Sequence, residues 1–170
     1  MDLGIEGKTA IICASSKGLG KSSAKSLLEE GATVSINARG KESLKNTFEE
    51  LSEVDEKRIK MVVADLDTEE GRKTIIESCP NPDILVTNNS GPPPGNFLEM
   101  DRDQWLKALD ANMLSAVFMI KDVLPSMVEK NFGRIINITS AMVKSPHPLM
   151  SLSTSARAGL TAFSKDISKD

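Results

Sequence analysis

The chain has 170 residues, of which 39% are hydrophobic and 26% are charged, and its formal net charge is −3. This length suits a single domain with a substantial core, and the acidic balance disfavours a nucleic-acid-binding face, which would be basic. No apolar run approaches the roughly 20 residues that a membrane-spanning helix needs. One histidine and two cysteines in unrelated settings provide no metal-ligand set. We therefore expect one cytoplasmic domain over residues 1–170, with Cys13 and Cys79 reduced, no metal, and neither a nucleic-acid nor a membrane partner.

Short apolar segments alternate with longer segments of helical period along the chain. The predicted strands are 8–13, 32–36, 59–64, 83–87 and 133–138, and the predicted helices are 18–30, 41–51, 68–78, 101–130 and 151–168. We predict a bend in the long helix before Pro125, because proline removes a helical hydrogen bond. Continuous apolar strands that alternate with helices indicate an α/β fold with a doubly wound parallel sheet. The expected strand order is 3-2-1-4-5, with ligands at the carboxyl ends of the strands.

The turn after the first predicted strand is rich in small residues and opens a helix. It reads Cys13-Ala14-Ser15-Ser16-Lys17-Gly18-Leu19-Gly20. Gly18 and Gly20 let the backbone approach an anion closely, with free N–H groups facing it. A helix start without a ligand would also explain two glycines. Their position directly after the first strand of an α/β pattern favours a phosphate-binding loop.

Further landmarks follow this loop in a fixed order. They are Asp65 after the third strand, Asn88-Asn89-Ser90-Gly91 after the fourth, Asn112 in the long helix and Ser140 after the fifth strand. Together they cover essentially the whole chain and resemble the short-chain dehydrogenase/reductase family, in particular its 3-oxoacyl-thioester reductase branch. The loop departs from the family's Thr-Gly-x-x-x-Gly-x-Gly pattern. Cys13 replaces the Thr, and Ala14 replaces the first Gly, where a methyl group is either tolerated or crowds the phosphates.

This resemblance implies a Rossmann fold that binds a nicotinamide dinucleotide in a single NADP(H)-binding domain. Asp65 would contact the adenine, as the matching acidic residue does in the family. The positions that match cofactor-binding residues of the family are Ala14, Ser16, Lys17, Gly18, Leu19, Gly20, Arg39, Asp65, Leu66, Asn89, Ser90, Gly91 and Arg157.

The end of the second strand bears on which dinucleotide binds. Members of the family that use NAD(H) have an acidic residue there, which hydrogen-bonds the ribose 2′-hydroxyl. This chain has Ala38 at that position, followed by Arg39. Arg39 and Lys17 suit a 2′-phosphate, although both side chains would also fit as solvated surface charges. We favour NADP(H) as the cofactor, with NAD(H) as the alternative.

The resemblance also implies an active site in which two residues are replaced. Asn112 and Ser140 match the family's catalytic Asn and Ser. The family's Tyr-x-x-x-Lys motif matches Ser153-Thr154-Ser155-Ala156-Arg157, and the chain contains no tyrosine. In the family, the Tyr exchanges a proton with the carbonyl oxygen while hydride passes to or from nicotinamide, and the Lys lowers the pKa of that Tyr. A serine is a much weaker acid and an arginine stays protonated, so the replaced pair puts proton transfer in question.

Other groups are candidates for the proton transfer. His147 is one candidate, because histidine is the side chain most often used for proton transfer near neutral pH, and Ser140 with Ser153 would organise a water. The simpler interpretation of His147 is an exposed histidine in a loop, and that of Ser153 is a small residue that fills the space of the Tyr. The candidate catalytic residues are those at the family's catalytic positions, namely Asn112, Ser140, Ser153 and Arg157.

Two functions of different classes fit these residues. The first is an NADP(H)-dependent oxidoreductase acting on a small-molecule carbonyl or alcohol. The second is a catalytically impaired dinucleotide-binding module that serves as a sensor or assembly subunit, and an incomplete gene product with little activity is a third interpretation. Relatives usually continue with two more strands and a lid, so we expect a C-terminally shortened fold. An apolar stripe on the long helix predicts a homo-oligomer, a dimer or tetramer, and comprises Met113, Ala116, Val117, Ile120 and Val123.

Overall fold

The computed structural model describes residues 3–168, so the ends of the predicted domain at 1–2 and 169–170 lie outside it. Five parallel strands form one sheet in the order β3-β2-β1-β4-β5, which confirms the predicted order. The strands are β1 (Thr9–Ile12), β2 (Thr33–Ala38), β3 (Ile59–Val63), β4 (Ile84–Thr87) and β5 (Arg134–Asn137). The direction of winding reverses between β1 and β4, which places the expected ligand crevice at the carboxyl ends of these two strands.

Six α-helices flank the sheet within the described part of the chain. They are α1 (Gly18–Glu29), α2 (Lys41–Asp55), α3 (Glu69–Ser78), α4 (Arg102–Leu109), α5 (Ser115–Glu129) and α6 (Ser151–Ile167). Each predicted helical segment is present, and the one predicted over 101–130 comprises α4 and α5. The predicted ends differ by a few residues because caps and turns, and not hydrophobic period, set where a helix stops.

Alternate side chains of the central strand enter two separate cores. Ile12 packs with α1 and α2 on one face of the sheet, and Ile11 packs with α3 and α5 on the other. Both isoleucines are fully buried. The unbroken apolar run of β1 is therefore the consequence of a sheet covered on both faces.

The long helix contains an irregular turn close to the site. A π-helical segment at Asp110–Leu114 joins α4 to α5, and α5 then continues through Pro125. The sequence predicted a bend before Pro125, whereas no residue pattern in it indicated the π-helical turn. This turn contains Asn112, and π-turns are frequent at functional sites because they redirect the side chains of one helical turn.

By length and composition alone, the helical stretch Arg102–Glu129 is a candidate to cross a membrane, since an 18-residue window within it has a mean hydropathy of 1.3. Polar residues interrupt the apolar run of this stretch, and the average over the window nevertheless reaches that of a candidate membrane-spanning helix. In the fold, Met119, Ile120 and Val123 of this stretch are buried against the sheet. Packing in the core accounts for these three apolar side chains.

The apolar stripe that predicted oligomerisation points largely inward. Ala116, Ile120 and Val123 are at most 7% exposed. Met113 packs against α6, since a Cβ placed on Gly159 would lie 2.9 Å from the Met113 Sδ. The fold itself explains the stripe, which therefore gives no support for a subunit interface.

Candidate active site

Asn37, near the end of β2, holds the carboxyl ends of the first three strands together. It is 1% exposed. Its Nδ2 donates to the main-chain oxygens of Val62 and Ala64, at 3.1 and 3.0 Å, and its own main-chain oxygen accepts from the N–H of Ser15 at 2.7 Å. Its Oδ1 accepts a long hydrogen bond from the N–H of Ala14, at 3.5 Å. No role was expected for Asn37, although an asparagine within an otherwise apolar strand is a signal for one.

The start of α1, which the glycine loop forms, is the place where an anion is expected to bind. No side chain caps this helix at Lys17, and its first turn contains no acidic residue. The N–H groups there carry partial positive charge and lack helical partners. A Cβ on Gly20 would lie 2.6 Å from the main-chain oxygen of Ala14, so this close packing of helix and loop requires glycine. Gly18 has a φ of +56° with open space around it, and Leu19 is 68% exposed.

A pocket of about 250 Å³ lies in front of this loop. Eight of the predicted cofactor residues line it, namely Ala14, Ser16, Lys17, Arg39, Asp65, Leu66, Asn89 and Ser90. Gly91 lines a neighbouring pocket of about 550 Å³ between the proline-rich loop 91–95 and α4, and Arg39 lines both pockets. An uncapped helix start, a close glycine approach and two cations fit the phosphates and ribose of a dinucleotide.

Ala14 has a φ of +45°, in the left-handed region that favours glycine. This is the position where the resembled motif has its first glycine. The main consequence of the alanine is therefore backbone strain, which for an L-residue in this region amounts to about 1 kcal/mol.

Arg157 is buried at the position of the family's lysine, with 8% of its surface exposed. Its Nε donates to the Ser153 Oγ at 3.2 Å. Its Nη1 donates to the main-chain oxygens of Ile138 at 2.7 Å and Thr139 at 3.3 Å, and its Nη2 donates to that of Asn89 at 3.3 Å. These four bonds leave one of the five guanidinium N–H groups for a ligand. Arg157 thus ties the residues that follow β4 and β5 to α6.

The Arg157 guanidinium is a buried cation without an acidic partner. None of the ion pairs found among residues 3–168 includes it. Burial lowers the pKa of Arg157, because surroundings of low polarity disfavour the charged form. Main-chain oxygens therefore stabilise the positive charge of the Arg157 guanidinium in place of a carboxylate.

The three candidates for proton transfer are placed differently. Ser153 is 4% exposed and is bonded to Arg157. The Ser140 Oγ accepts from the Met142 N–H at 3.1 Å and caps a short 3-10 turn. His147 is exposed, and its Nδ1 accepts from the Leu149 N–H at 3.3 Å. The position of His147 fits the simpler interpretation, an exposed loop histidine.

Asn112 is 5% exposed, and neither atom of its side-chain amide has a hydrogen-bond partner within residues 3–168. It lines the 550 Å³ pocket and also a small cavity of about 10 Å³ that Arg157 and Asn89 share. Buried amides in folded proteins are normally hydrogen-bonded. Asn112 is therefore placed to bind a polar group at the inner end of the pocket.

The groups able to bind metals are dispersed in the described residues, which contain no cluster of three or more His, Cys, Asp or Glu side chains. Cys13 and Cys79 are both free thiols. Burial raises the pKa of the Cys13 thiol to about 12, which keeps it protonated at neutral pH.

The chain is similar to known proteins both in sequence and in structure. The family model described as short chain dehydrogenase matches residues 8–170. The uncharacterized oxidoreductase YvaG of Bacillus subtilis is 33% identical over 170 residues, which cover 99% of this chain and 64% of the relative. A 3-oxoacyl-acyl-carrier-protein reductase of Vibrio harveyi is also 33% identical over 170 residues, which cover 99% of this chain and 69% of that protein.

A solved structure of L-sorbose reductase from Gluconobacter frateurii, complexed with NADPH and L-sorbose, superposes with a TM-score of 0.93 at 29% identity. The match covers 99% of this chain and 66% of that one. The chain spans about two thirds of the length of these relatives.

Replacing Ala14 by glycine is expected to raise the free energy of unfolding by about 1 kcal/mol, since glycine adopts a positive φ without strain. Urea denaturation followed by circular dichroism measures the change. The control is Ala24→Gly, at a buried position within α1, which should lower the free energy of unfolding by about 1 kcal/mol or more. A loss of stability in Ala14→Gly would contradict the strain at this position.

Replacing Arg157 by lysine is expected to lower the free energy of unfolding by about 2–4 kcal/mol. A single ammonium group cannot reach all four acceptors, and buried carbonyls would lose their donors. The matched control is Arg102→Lys at an exposed position, where the same measurement should change by less than about 0.5 kcal/mol. Equally small effects at the two positions would show that the guanidinium does not hold the strand ends.

Proposed function

Since this chain belongs to the short-chain dehydrogenase family, we propose that it is an NADP(H)-dependent oxidoreductase that transfers a hydride to a ketone or aldehyde. The proposed substrate class is the 3-oxoacyl thioesters, after the reductase of Vibrio harveyi. The observation that carries the proposal is the pocket in front of α1, where an open helix start and the cations Lys17 and Arg39 converge. The chain spans about two thirds of its relatives' length, so the activity of the whole protein is part of this proposal.

The residues around this pocket have distinct roles in the proposal. The start of α1 would bind the diphosphate, Asp65 and Leu66 the adenine, and Lys17 with Arg39 the 2′-phosphate. NAD(H) is the alternative cofactor. When bound, the reduced dinucleotide supplies the hydride that the carbonyl carbon accepts.

Ser153 and Arg157 are the groups proposed to deliver the proton to the carbonyl oxygen. Because the Arg157 Nε–H donates to the Ser153 Oγ, the hydroxyl proton of Ser153 is directed to another acceptor. The nearby cation stabilises the negative charge that develops on the serine oxygen as this proton leaves, and solvent replaces the proton. Ser140 would orient the same carbonyl oxygen, and Asn112 would bind a polar group of the ligand at the inner end of the pocket.

Dinucleotide binding without turnover is the second candidate function. Two observations favour it, the 4% exposure of Ser153 and the four guanidinium donors of Arg157 that bind the protein itself. The chain would then serve as a sensor or assembly subunit that keeps the cofactor pocket.

The proposed partners are a small-molecule carbonyl or alcohol and further copies of this chain, in a dimer or tetramer. The inward-facing stripe does not support the oligomer. The apolar side chains of the long helix available for an interface are Leu106, Phe118 and Val128, which are 39–70% exposed. The proposed compartment is the cytoplasm, where both free thiols would stay reduced.

NADPH is expected to bind more tightly than NADH. Arg39→Ala should weaken NADPH binding about tenfold and leave NADH binding unchanged, because only NADPH has the phosphate that Arg39 binds. Fluorescence of the bound reduced nicotinamide measures both affinities, and Arg102→Ala provides the control for loss of an exposed cation. Equal affinity of the parent protein for NADH and NADPH would be incompatible with the proposed preference.

NADPH oxidation is expected with at least one member of a panel of 3-oxoacyl thioesters, quinones and aldehydes. Ser153→Ala and Ser140→Ala should each reduce kcat about 100-fold, while His147→Ala should leave it unchanged. Dinucleotide binding without turnover on the whole panel would reject the enzyme and favour the binding module. Loss of turnover in His147→Ala would identify the histidine as the proton donor instead.

A further inference from the structure

Arg39, directly after β2, lies close to two carboxylates. Its Nη1 is 3.9 Å from the Asp67 Oδ2 and 4.0 Å from the Asp65 Oδ2. The Arg39 side chain is 59% exposed and lines both the 250 Å³ and the 550 Å³ pockets. The cation expected to bind a 2′-phosphate thus has two anionic neighbours in the protein itself.

The two carboxylates are held in different ways. The Asp65 Oδ1 accepts the main-chain N–H of Asp67 at 3.0 Å, within the turn that precedes α3. The Asp67 Oδ1 accepts from the Asn89 Nδ2 at 2.8 Å, and the same Nδ2 donates to the main-chain oxygen of Ala111 at 2.9 Å. Asn89 therefore fixes one oxygen of Asp67, and the other oxygen is the one at ion-pair distance from Arg39.

We propose that Asp67 is a specificity-determining residue that lowers the affinity of this chain for 2′-phosphate ligands. It stabilises Arg39 in a position from which the phosphate has to draw it away, and it repels a phosphate in the same region. Neither effect acts on a ligand with a free 2′-hydroxyl. Asp67 therefore narrows the difference between NADP(H) and NAD(H), and this inference rests on the proposed binding of a dinucleotide in this pocket.

The expected effect of Asp67 on the affinity for 2′-phosphate ligands follows from the charges involved. A phosphate carries up to two negative charges. The side chains of Arg39, Asp65 and Asp67 are partly exposed to water. Their interaction with the phosphate therefore has the strength of charges a few ångströms apart in a polar medium. This corresponds to about a fivefold to tenfold difference in affinity at low ionic strength. Since the groups are partly exposed, salt at about 0.5 M should remove most of this difference.

The test compares two probes that differ only in the 2′-phosphate, adenosine 2′,5′-bisphosphate and 5′-AMP, by isothermal titration calorimetry on the full chain. Asp67→Asn removes the charge and keeps an oxygen that can accept from Asn89. It is expected to bind the bisphosphate about fivefold to tenfold more tightly than the parent and 5′-AMP with unchanged affinity. The matched control is Glu77→Gln, which removes one negative charge from α3 at a residue paired with Lys73 and outside both pockets.

A second comparison examines the role of Arg39. In the Arg39→Ala background, Asp67→Asn should improve bisphosphate binding by less than about twofold, because only the direct repulsion remains. An unchanged affinity in Asp67→Asn, an equal gain for both probes, or a full gain without Arg39 would each overturn the inference.

The same data separate this inference from the proposed cofactor. If the parent binds the bisphosphate more tightly than 5′-AMP while Asp67→Asn changes nothing, the role of Asp67 is rejected and the NADP(H) preference stands. If the parent does not distinguish the probes and Asp67→Asn does, the role of Asp67 stands and the preference is rejected. If neither protein distinguishes them, both proposals are rejected.

Discussion

Parallel strands that end at one edge of a sheet expose main-chain polar groups beside the place where a ligand binds, and these groups need partners. In this protein two buried side chains satisfy many of them. Asn37 joins the ends of β1, β2 and β3, and Arg157 joins the residues after β4 and β5 to α6. The loops that form the pockets begin at these same strand ends, so their positions depend on the two side chains. A relative with a different residue at position 157 would have to hold this edge in another way.

The presence of arginine instead of lysine changes what position 157 can do. A guanidinium binds several oxygens at fixed angles and keeps its proton, whereas an ammonium is compact and exchanges its proton readily. The burial of Arg157 is tolerated because its charge is surrounded by carbonyl oxygens and the Ser153 hydroxyl. This arrangement favours a fixed site over a proton relay through residue 157, and it holds the strand ends in place with an arginine at this position.

Asn89 connects the two parts of the candidate site. The main-chain oxygen of Asn89 accepts from Arg157, and its side-chain amide donates to Asp67, which in turn lies beside Arg39. The formal charges in this region balance, since the cations Lys17 and Arg39 oppose the carboxylates Asp65 and Asp67. A lone cation at the end of β2 would favour a 2′-phosphate, and the two acidic neighbours of Arg39 oppose one, which is the basis of the role proposed for Asp67.

The sequence by itself determined the α/β class, the strand order and the family, because hydrophobic period and the order of Gly18, Gly20, Asp65 and Ser140 are properties of the chain alone. Eight of the thirteen candidate cofactor residues also line one pocket, since strand ends of a parallel sheet converge. Only the tertiary structure decided the role of Asn37, the left-handed conformation of Ala14, the π-helical turn at Asn112 and the direction of the apolar stripe on α5. It also showed Arg157 bonded to four protein oxygens and Arg39 beside Asp67. These features depend on contacts between residues far apart in the chain, and neither period nor spacing records which distant oxygen a side chain reaches.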